Sequence, residues 1–373
     1  MNILFCNIGW SKEYHGSDDD DVLIGGGSYV DTNKDGGEAY NFCHFNRNYY
    51  GYVYPNGDIS IERIGNVSKK SPYIKDVLVV WMATKPKETG TYIIGWYKQA
   101  TVYREMQYYN AREYGENYAY HAICSVDNGL LLPVQERTFL VPNAIEAGKG
   151  KGKGRSNIWY ADSLYAQNEI IPKVLEYIEG YMGESADRIY TKEELTFKTN
   201  TMLPSATIYF DAAKKYIDQG QFYTALTYFN AAKAMESTAD ISIAIGELLI
   251  DMGYIDEAKA EYEQKIADGE QNCTIEINYC LARIYMLLSI WERALEKYDW
   301  LQKELRKFTG ELLDPFDQNG MILDSLLLAS FCCDELGLRL KAKSYDNIAL
   351  QYTDDEDLKD AIMERLSEVD EQQ

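Results

Sequence analysis

The stretch YIDQGQFYTALTYFNAAKA (216–234) carries the reading of half the chain. Gly220 is followed by Phe222, Ala225, Phe229 and Ala232. Apolar residues at spacings of three and four mark one face of a helix, and the glycine before them marks the end of another. The arrangement returns three times. LLIDMGYIDEAKAEYEQKI (248–266) has Gly253, Ile255, Ala258 and Tyr262. IYMLLSIWERALEKYDWL (284–301) has Ser289, Trp291, Ala294 and Tyr298. CCDELGLRLKAKSYDNIA (332–349) has Gly337, Ala342 and Ala349, with Arg339 where an aromatic is wanted. The aligned alanines, Ala225, Ala258, Ala294 and Ala342, lie 33, 36 and 48 residues apart.

Each unit reads as helix, tight turn, helix. The small residue sits where two antiparallel helices cross, the glycine permits the helix exit, and the aromatic beyond the alanine fills the groove between helices. The longest spacing accommodates an extra connection, KELRKFTGELLDPFDQNG (303–320), with Gly310 and Pro315 as breakers. These residues resemble the tetratricopeptide repeat over about 205–365. The resemblance implies a concave face that takes a peptide or protein partner. No repeated Lys/Asn/Arg clamp for a carboxylate-ended peptide is present, so no contact residues are named. Self-association or a rigid spacer is the other reading. The acidic tail DDEDLKDAIMERLSEVDEQQ (354–373) reads as a solvated capping helix.

A length of 373 residues suggests two domains. The net charge of −22 is uneven: residues 1–190 hold 19 Lys+Arg against 24 Asp+Glu, and 191–373 hold 18 against 35. The acidic half is a poor match for phosphate backbones, whereas the first half can meet nucleic acid locally. Seven scattered cysteines without a CxxC pair point to reduced thiols. MNILFCNIGW lacks the features of a signal peptide, and no apolar run is long enough to span a bilayer. A cytoplasmic location with no membrane partner is the expectation.

Residues 1–160 read as β-rich. Short β-branched or aromatic runs, NILFCNI, GGSYVD, YGYVYP, DISIERI, VLVVWMAT, TYIIGWY and ATVYRE, are bounded by Gly, Asn, Asp or Pro. Asn56-Gly57 signals a hairpin. Such strands suggest a small barrel or a strongly bent sheet. In TYIIGWYKQATVYR (91–104), strict alternation puts Tyr92, Ile94 and Trp96 on one face and Ile93, Gly95 and Tyr97 on the other. Gly95 leaves a gap where a flat ligand or another backbone can approach. A helical segment near 163–182 either packs on this domain or leads into the repeats.

The segments NILFCNIGW (2–10), GGGSYV (25–30), YGYV, VVW (79–81), GWYKQATVYR (95–104) and SNIWYA (156–161) resemble a bacterial domain family sometimes fused to nucleases. The layout looks similar to the PUA-like fold, with its EVE, YTH and ASCH relatives. That resemblance implies an aromatic cage for a modified base or nucleotide, and a setting in bacterial defence. No nuclease pattern is visible here, and the repeats stand in its place.

Candidate ligand-binding residues are Trp10, Ser28, Trp81, Trp96 and Tyr97. Trp and Tyr pair a flat π face with a polar tip, which suits a flipped base, though most such rings serve a core. Trp159 and Tyr103 belong to the same aromatic set. The glycines of GGGSYVD can bring N–H groups to an anion, or form a plain turn. GKGKGKGR (148–155) puts Lys149, Lys151, Lys153 and Arg155 on a flexible chain, as phosphate contacts or as a solubilising loop. Cys43-His44 with His121 and Cys124 make a poor zinc set, because adjacent ligands are sterically awkward. His15 with SDDDD (17–21) reads as a solvated loop before a cation site. Three histidines and no nucleophile elbow argue against catalysis.

The expectation is an α+β two-domain protein. Residues 1–160 form the β-rich recognition barrel, 161–204 a helical connector and 205–373 the repeat array. It acts as a non-enzymatic sensor or adaptor with no cofactor or metal. Its partners are a protein on the repeats and modified DNA or RNA at the N-terminal domain, and a homo-oligomer is allowed. The alternative is a pure interaction scaffold whose first domain is structural or dimerising.

Overall fold

A computed structural model describes the chain except residues 1, 17–20, 26–35, 56, 87–89, 111–116, 197–204, 269–273, 311, 314–315 and 372–373. It forms two compact units, one up to Tyr190 and one from Thr191. The division falls inside the segment read as a connector, because residues 161–190 fold with the sheet.

The sheet of the first unit is built from β1 (Asn2–Ile8), β2 (His44–Phe45), β3 (Asn48–Gly51), β4 (Tyr73–Thr84), β5 (Thr91–Asn110), β6 (Asn117–Ser125), β7 (Gly129–Leu131), β8 (Leu140–Val141) and β9 (Ile158–Trp159). The order is β2-β3-β6-β5-β4-β1-β9, with β7 and β8 also paired to β5. Only β1 with β4 is parallel among these pairs. The path is open from β2 to β9, so the expected small barrel does not close among the described residues.

TYIIGWY and ATVYRE are one strand. The 20-residue β5 slips register against β4 between Trp81 and Met82, and again between Val77 and Val79. A slip of one residue exchanges the faces. Strict alternation therefore fails: Ile94 and Tyr97 enter one core, Ile93 and Trp96 the other. At the second slip Gln99 takes the left-handed region, φ 52°. The polar Lys98-Gln99 interruption is this irregularity.

One face of the sheet is covered by irregular chain carrying Trp10, Tyr14, Leu23, Phe42, Ile59 and Ile61. DISIERI, read as a strand, forms part of this cover. It has only a 3-10 turn at Ile61–Arg63, and its isoleucines turn down onto the sheet. On the other face a wide helical turn (Ala166–Ile170) leads into a helix that packs Ile171, Val174 and Ile178 against Phe5, Val80 and Trp96. Toward β3 and β6, half-buried tyrosines cover each other. Tyr109 is stacked between Tyr50 (4.0 Å) and Tyr118 (5.6 Å), and Tyr120 meets Tyr50 (5.1 Å) and Tyr103 (5.7 Å) edge-on. Five of the 32 tyrosines meet here.

The helices in chain order are α1 (Ala144–Ala147), α2 (Ile171–Glu179), α3 (Lys192–Leu195), α4 (Ala206–Asp218), α5 (Phe222–Met235), α6 (Ala239–Asp251), α7 (Ile255–Ala267), α8 (Thr274–Leu287), α9 (Trp291–Leu305), α10 (Gln318–Glu335), α11 (Arg339–Ala349) and α12 (Glu356–Glu371). From α4 to α11 they pair as four hairpins, and the second unit is a helical array. Every hairpin turns in the same way. Gly220, Gly253, Ser289 and Gly337 sit at φ 69°, 80°, 56° and 70°. The next N–H returns to the carbonyl five residues back, as in Gln221 to Tyr216 and Ile290 to Tyr285, both 2.8 Å. This is the left-handed helix stop that favours glycine. The four aligned alanines are buried at the hairpin crossings. Phe229, Tyr262 and Tyr298 fill the grooves, and Tyr345 supplies the aromatic in the fourth unit. The long connection is held by Glu276, whose carboxylate accepts the Leu313 N–H (3.0 Å). Among the described residues no helix is long and apolar enough to cross a membrane.

Gly246 in α6 makes room for the Tyr262 ring from α7: a Cβ there would lie 2.2 Å from the ring. In an exposed helix Gly→Ala gains about 1 kcal/mol. Here Gly246→Ala is expected to lose about 1–3 kcal/mol in chemical denaturation through overpacking.

Candidate functional site

The four described aromatic candidates are core residues. Trp10 lies under the buried Arg137 guanidinium, 5.0 Å from its ring. Arg137 itself donates to the carbonyls of Ser11 (2.6 Å), Lys12 (2.5 Å) and Leu132 (2.9 Å). Trp96 packs edge-on to Tyr177 and Tyr181 beneath α2. Tyr97 stacks on Tyr49 at 5.7 Å, and its hydroxyl donates to the Asn41 carbonyl. The gap above Gly95 is taken by backbone: a Cβ would lie 2.4 Å from the Leu130 carbonyl oxygen and 2.7 Å from the Phe42 ring. Neither Trp96 nor Tyr97 is a pocket wall. Ser28 lies outside the described residues.

Trp81 is fully buried too, but its environment differs. Its indole lies against Gly51, where a Cβ would come within 2.3 Å, and its Nε1–H has no hydrogen-bond partner among the described residues. A buried N–H left unpaired costs about 1–3 kcal/mol, so such a group needs a reason. Two more polar groups gather on the next residue, Tyr52. His121 is buried with its ring 5.9 Å from Tyr52, and its Nδ1 has no partner among the described residues. Burial pushes this imidazole down to about 4, so it is neutral near pH 7. Glu38 is buried, and Gly37 beside it lies against the Tyr52 ring. The Gly9 N–H donates to the Glu38 carboxylate (2.6 Å). Burial raises this carboxyl to about 7, more than that one bond lowers it. Asn41 fixes the segment, accepting from the Tyr52 N–H (2.8 Å) and donating to its carbonyl (2.9 Å).

The Gly51-Tyr52 stretch therefore meets an unpaired indole N–H at its glycine, and an imidazole nitrogen and a carboxyl able to be acid or base at its half-buried phenol ring. Gly25, the first residue of GGGSYV, approaches Gly9 here. The sequence pointed to Trp81 and the glycines, offered His121 only as a poor zinc ligand, and missed Glu38 and Tyr52. The signal for Tyr52 was the YGYV motif, read only as a strand. An acid inside GGEAYNF carries no local sign of burial.

A second polar cluster ties the end of the first unit to its core. Asp187 accepts from the Tyr49 hydroxyl (2.6 Å) and meets His15 Nε2 at 3.1 Å. Neighbouring Ala186 donates to the Leu131 carbonyl (2.8 Å). His44 stands close by, held at about 4 by burial, with Asp187 opposing and His15 reinforcing that shift. Burial also works against a charged His15, but the Asp187 bond and charge, with Glu13, leave its pKa raised overall.

The remaining expected sites are also placed. Asp21 accepts from the Ser11 hydroxyl (2.5 Å) and the N–H groups of Lys12 and Glu13 (2.7 and 2.8 Å), which makes it a turn-former. Residues 17–20 lie outside the described residues. No group of three or more His, Cys, Asp or Glu able to hold a metal occurs among the described residues. The lysine run is folded, not a free chain: Lys153 N–H donates to Pro142 (2.8 Å) and its carbonyl accepts from Ala144 (2.9 Å). Lys149, Lys151 and Arg155 point outward from it, while Lys153 is half-buried.

No family model and no curated protein matches the chain. Solved structures similar to it match the helical part. A tetratricopeptide repeat protein from Parabacteroides merdae ATCC 43184 is 16% identical with a TM-score of 0.36, over 45% of this chain and 60% of that one. This chain therefore spans less than two thirds of that protein. MamA from Desulfovibrio magneticus RS-1 is 13% identical with a TM-score of 0.35, over 46% and 96%. YrrB, described as a TPR protein with an unusual peptide-binding site, is 18% identical with a TM-score of 0.25, over 41% and 89%.

The sign of the His15 effect is fixed by its raised pKa. The pairing is fully present below the unfolded value near 6.5 and fades as pH rises through the higher folded value. His15 is partly exposed, so the contribution is about 1 kcal/mol or less. Thermal unfolding is expected to show a stability loss above pH 6.5 that is absent in Asp187→Asn. His44 and His121, both lowered, act oppositely, and their stabilisation is lost as pH falls from 6.5 toward 4.

Proposed function

We propose that the chain is a non-enzymatic adaptor: the sheet unit holds a small planar heterocycle, and the helical array takes a protein partner. The observation that carries this reading is the Trp81 indole N–H, buried against Gly51 and unpaired among the described residues, with His121 and Glu38 at the adjoining Tyr52. Flat rings with a hydrogen-bonding edge, such as a nucleobase, suit a donor, a neutral imidazole and an adaptable carboxyl around an aromatic ring. The donor set gives no nucleophile with an adjacent base, which favours binding over turnover.

On the array, the first helices of adjacent hairpins touch, α6 with α8 and α8 with α10. Glu247 on α6 meets Arg283 on α8 (3.4 Å), and Tyr279 on α8 donates to Asp324 on α10 (2.9 Å). This line of polar contacts, on an acidic unit, fits a partner with a basic surface. The second reading is a pure interaction scaffold, favoured by the burial of Trp10, Trp96 and Tyr97.

Isothermal titration of the full chain with nucleosides and short single strands, with modified and unmodified bases, tests the ligand half. One ligand class should bind, Trp81→Phe should weaken it about 5–10-fold for one lost hydrogen bond, and Glu38→Gln should abolish any pH dependence near 7. Absence of binding across the panel leaves the scaffold reading.

A further inference from the structure

The turn that carries the lysine run also carries apolar side chains in full view of solvent. Ile145 on α1 is 72% exposed, Leu164 82% and Tyr165 43%. The turn and the 163–165 segment form one platform. The Ser163 hydroxyl donates to the Gly150 carbonyl (2.5 Å), and the Lys151 ammonium lies 5.6 Å from the Tyr165 ring centre. Lys151 N–H closes onto Gly148 (3.0 Å), and Asn143 and Lys153 pair across the base. Lys149, Lys151 and Arg155 thus leave an ordered surface that also carries Ile145 and Leu164, with Lys153 half-buried at its base. The acids within it are Glu146 and Asp162, and Asp162 is bound to Arg63 (2.5 Å).

A single exposed leucine needs no explanation. Two aliphatic side chains and a tyrosine among three exposed cations form an amphiphilic patch. A nucleic-acid backbone would answer the cations but leave Ile145 and Leu164 in water, and the Lys151 ammonium already lies over Tyr165, the ring that could stack on a base. An anionic bilayer surface answers both parts: headgroups meet the cations and the aliphatic groups enter the interface. We propose that the 143–165 platform docks on an anionic lipid surface, as a peripheral contact without any span. This is independent of the ligand site at Tyr52.

The test is sedimentation of the full chain with phosphatidylcholine vesicles, with and without phosphatidylserine. Binding should require phosphatidylserine and fall with salt. Lys149→Gln and Lys151→Gln should each weaken it about fivefold, and Leu164→Ser should weaken it at unchanged charge. These side chains are exposed, so the variants fold, as circular dichroism will verify. No sedimentation at low salt overturns the proposal. So does binding that ignores Leu164→Ser, or preferential binding to an oligonucleotide that competes the vesicles away.

Discussion

The register slip of β5 against β4 is the constraint on which the first unit depends. One extra β5 residue opposite the Trp81-Met82 pair puts Ile94 on the side of Tyr97 and Ile93 on the side of Trp96. Each ring then nucleates a separate core. Tyr97 gathers Trp81, Phe42 and Tyr49, while Trp96 gathers α2. A ring of this size buries roughly 150–250 Å², about 4–6 kcal/mol of gross hydrophobic stabilisation at the usual coefficient. Losing the slip would exchange the faces of Ile93 and Ile94 relative to the two rings. The same packing sets the proposed ligand site: Gly51 lies against the Trp81 indole, and Asn41, which receives the Tyr97 hydroxyl, also holds Tyr52.

The helical half was legible because its signals are local. Gly220, Gly253 and Gly337 mark identical left-handed stops, and the alanines sit at a period that needs no tertiary knowledge. Ser289 was read correctly as a glycine equivalent, since the positions around it repeat. Arg339 stands where Phe222 and Trp291 stand, while Tyr345, three residues past the alanine, takes the groove position of Phe229, Tyr262 and Tyr298.

The sheet half was less legible for a physical reason. Alternation assumes a strand without slips, and β5 shifts register three times against β4 and once against β6. Nothing in Ile94-Gly95 distinguishes a slipped register from a gap for a ligand; the neighbour that fills it, Leu130, comes from 35 residues away. DISIERI has strand composition, yet it serves as cover because its isoleucines meet the sheet from above. At the site, Trp81 was readable as an aromatic candidate. Glu38 and His121 were not, because their burial depends on contacts made by Gly9 and Tyr52.

Recognition is proposed at the buried Trp81 indole N–H, while Trp10, Trp96 and Tyr97 serve the cores alone. The most direct measurement is nitrogen-labelled NMR of the indole N–H groups of the full chain while a binding nucleoside is added. The Trp81 signal should move as its N–H gains a partner, while those of Trp10 and Trp96 stay in place. A static Trp81 signal with shifts at Trp10 or Trp96 would contradict it.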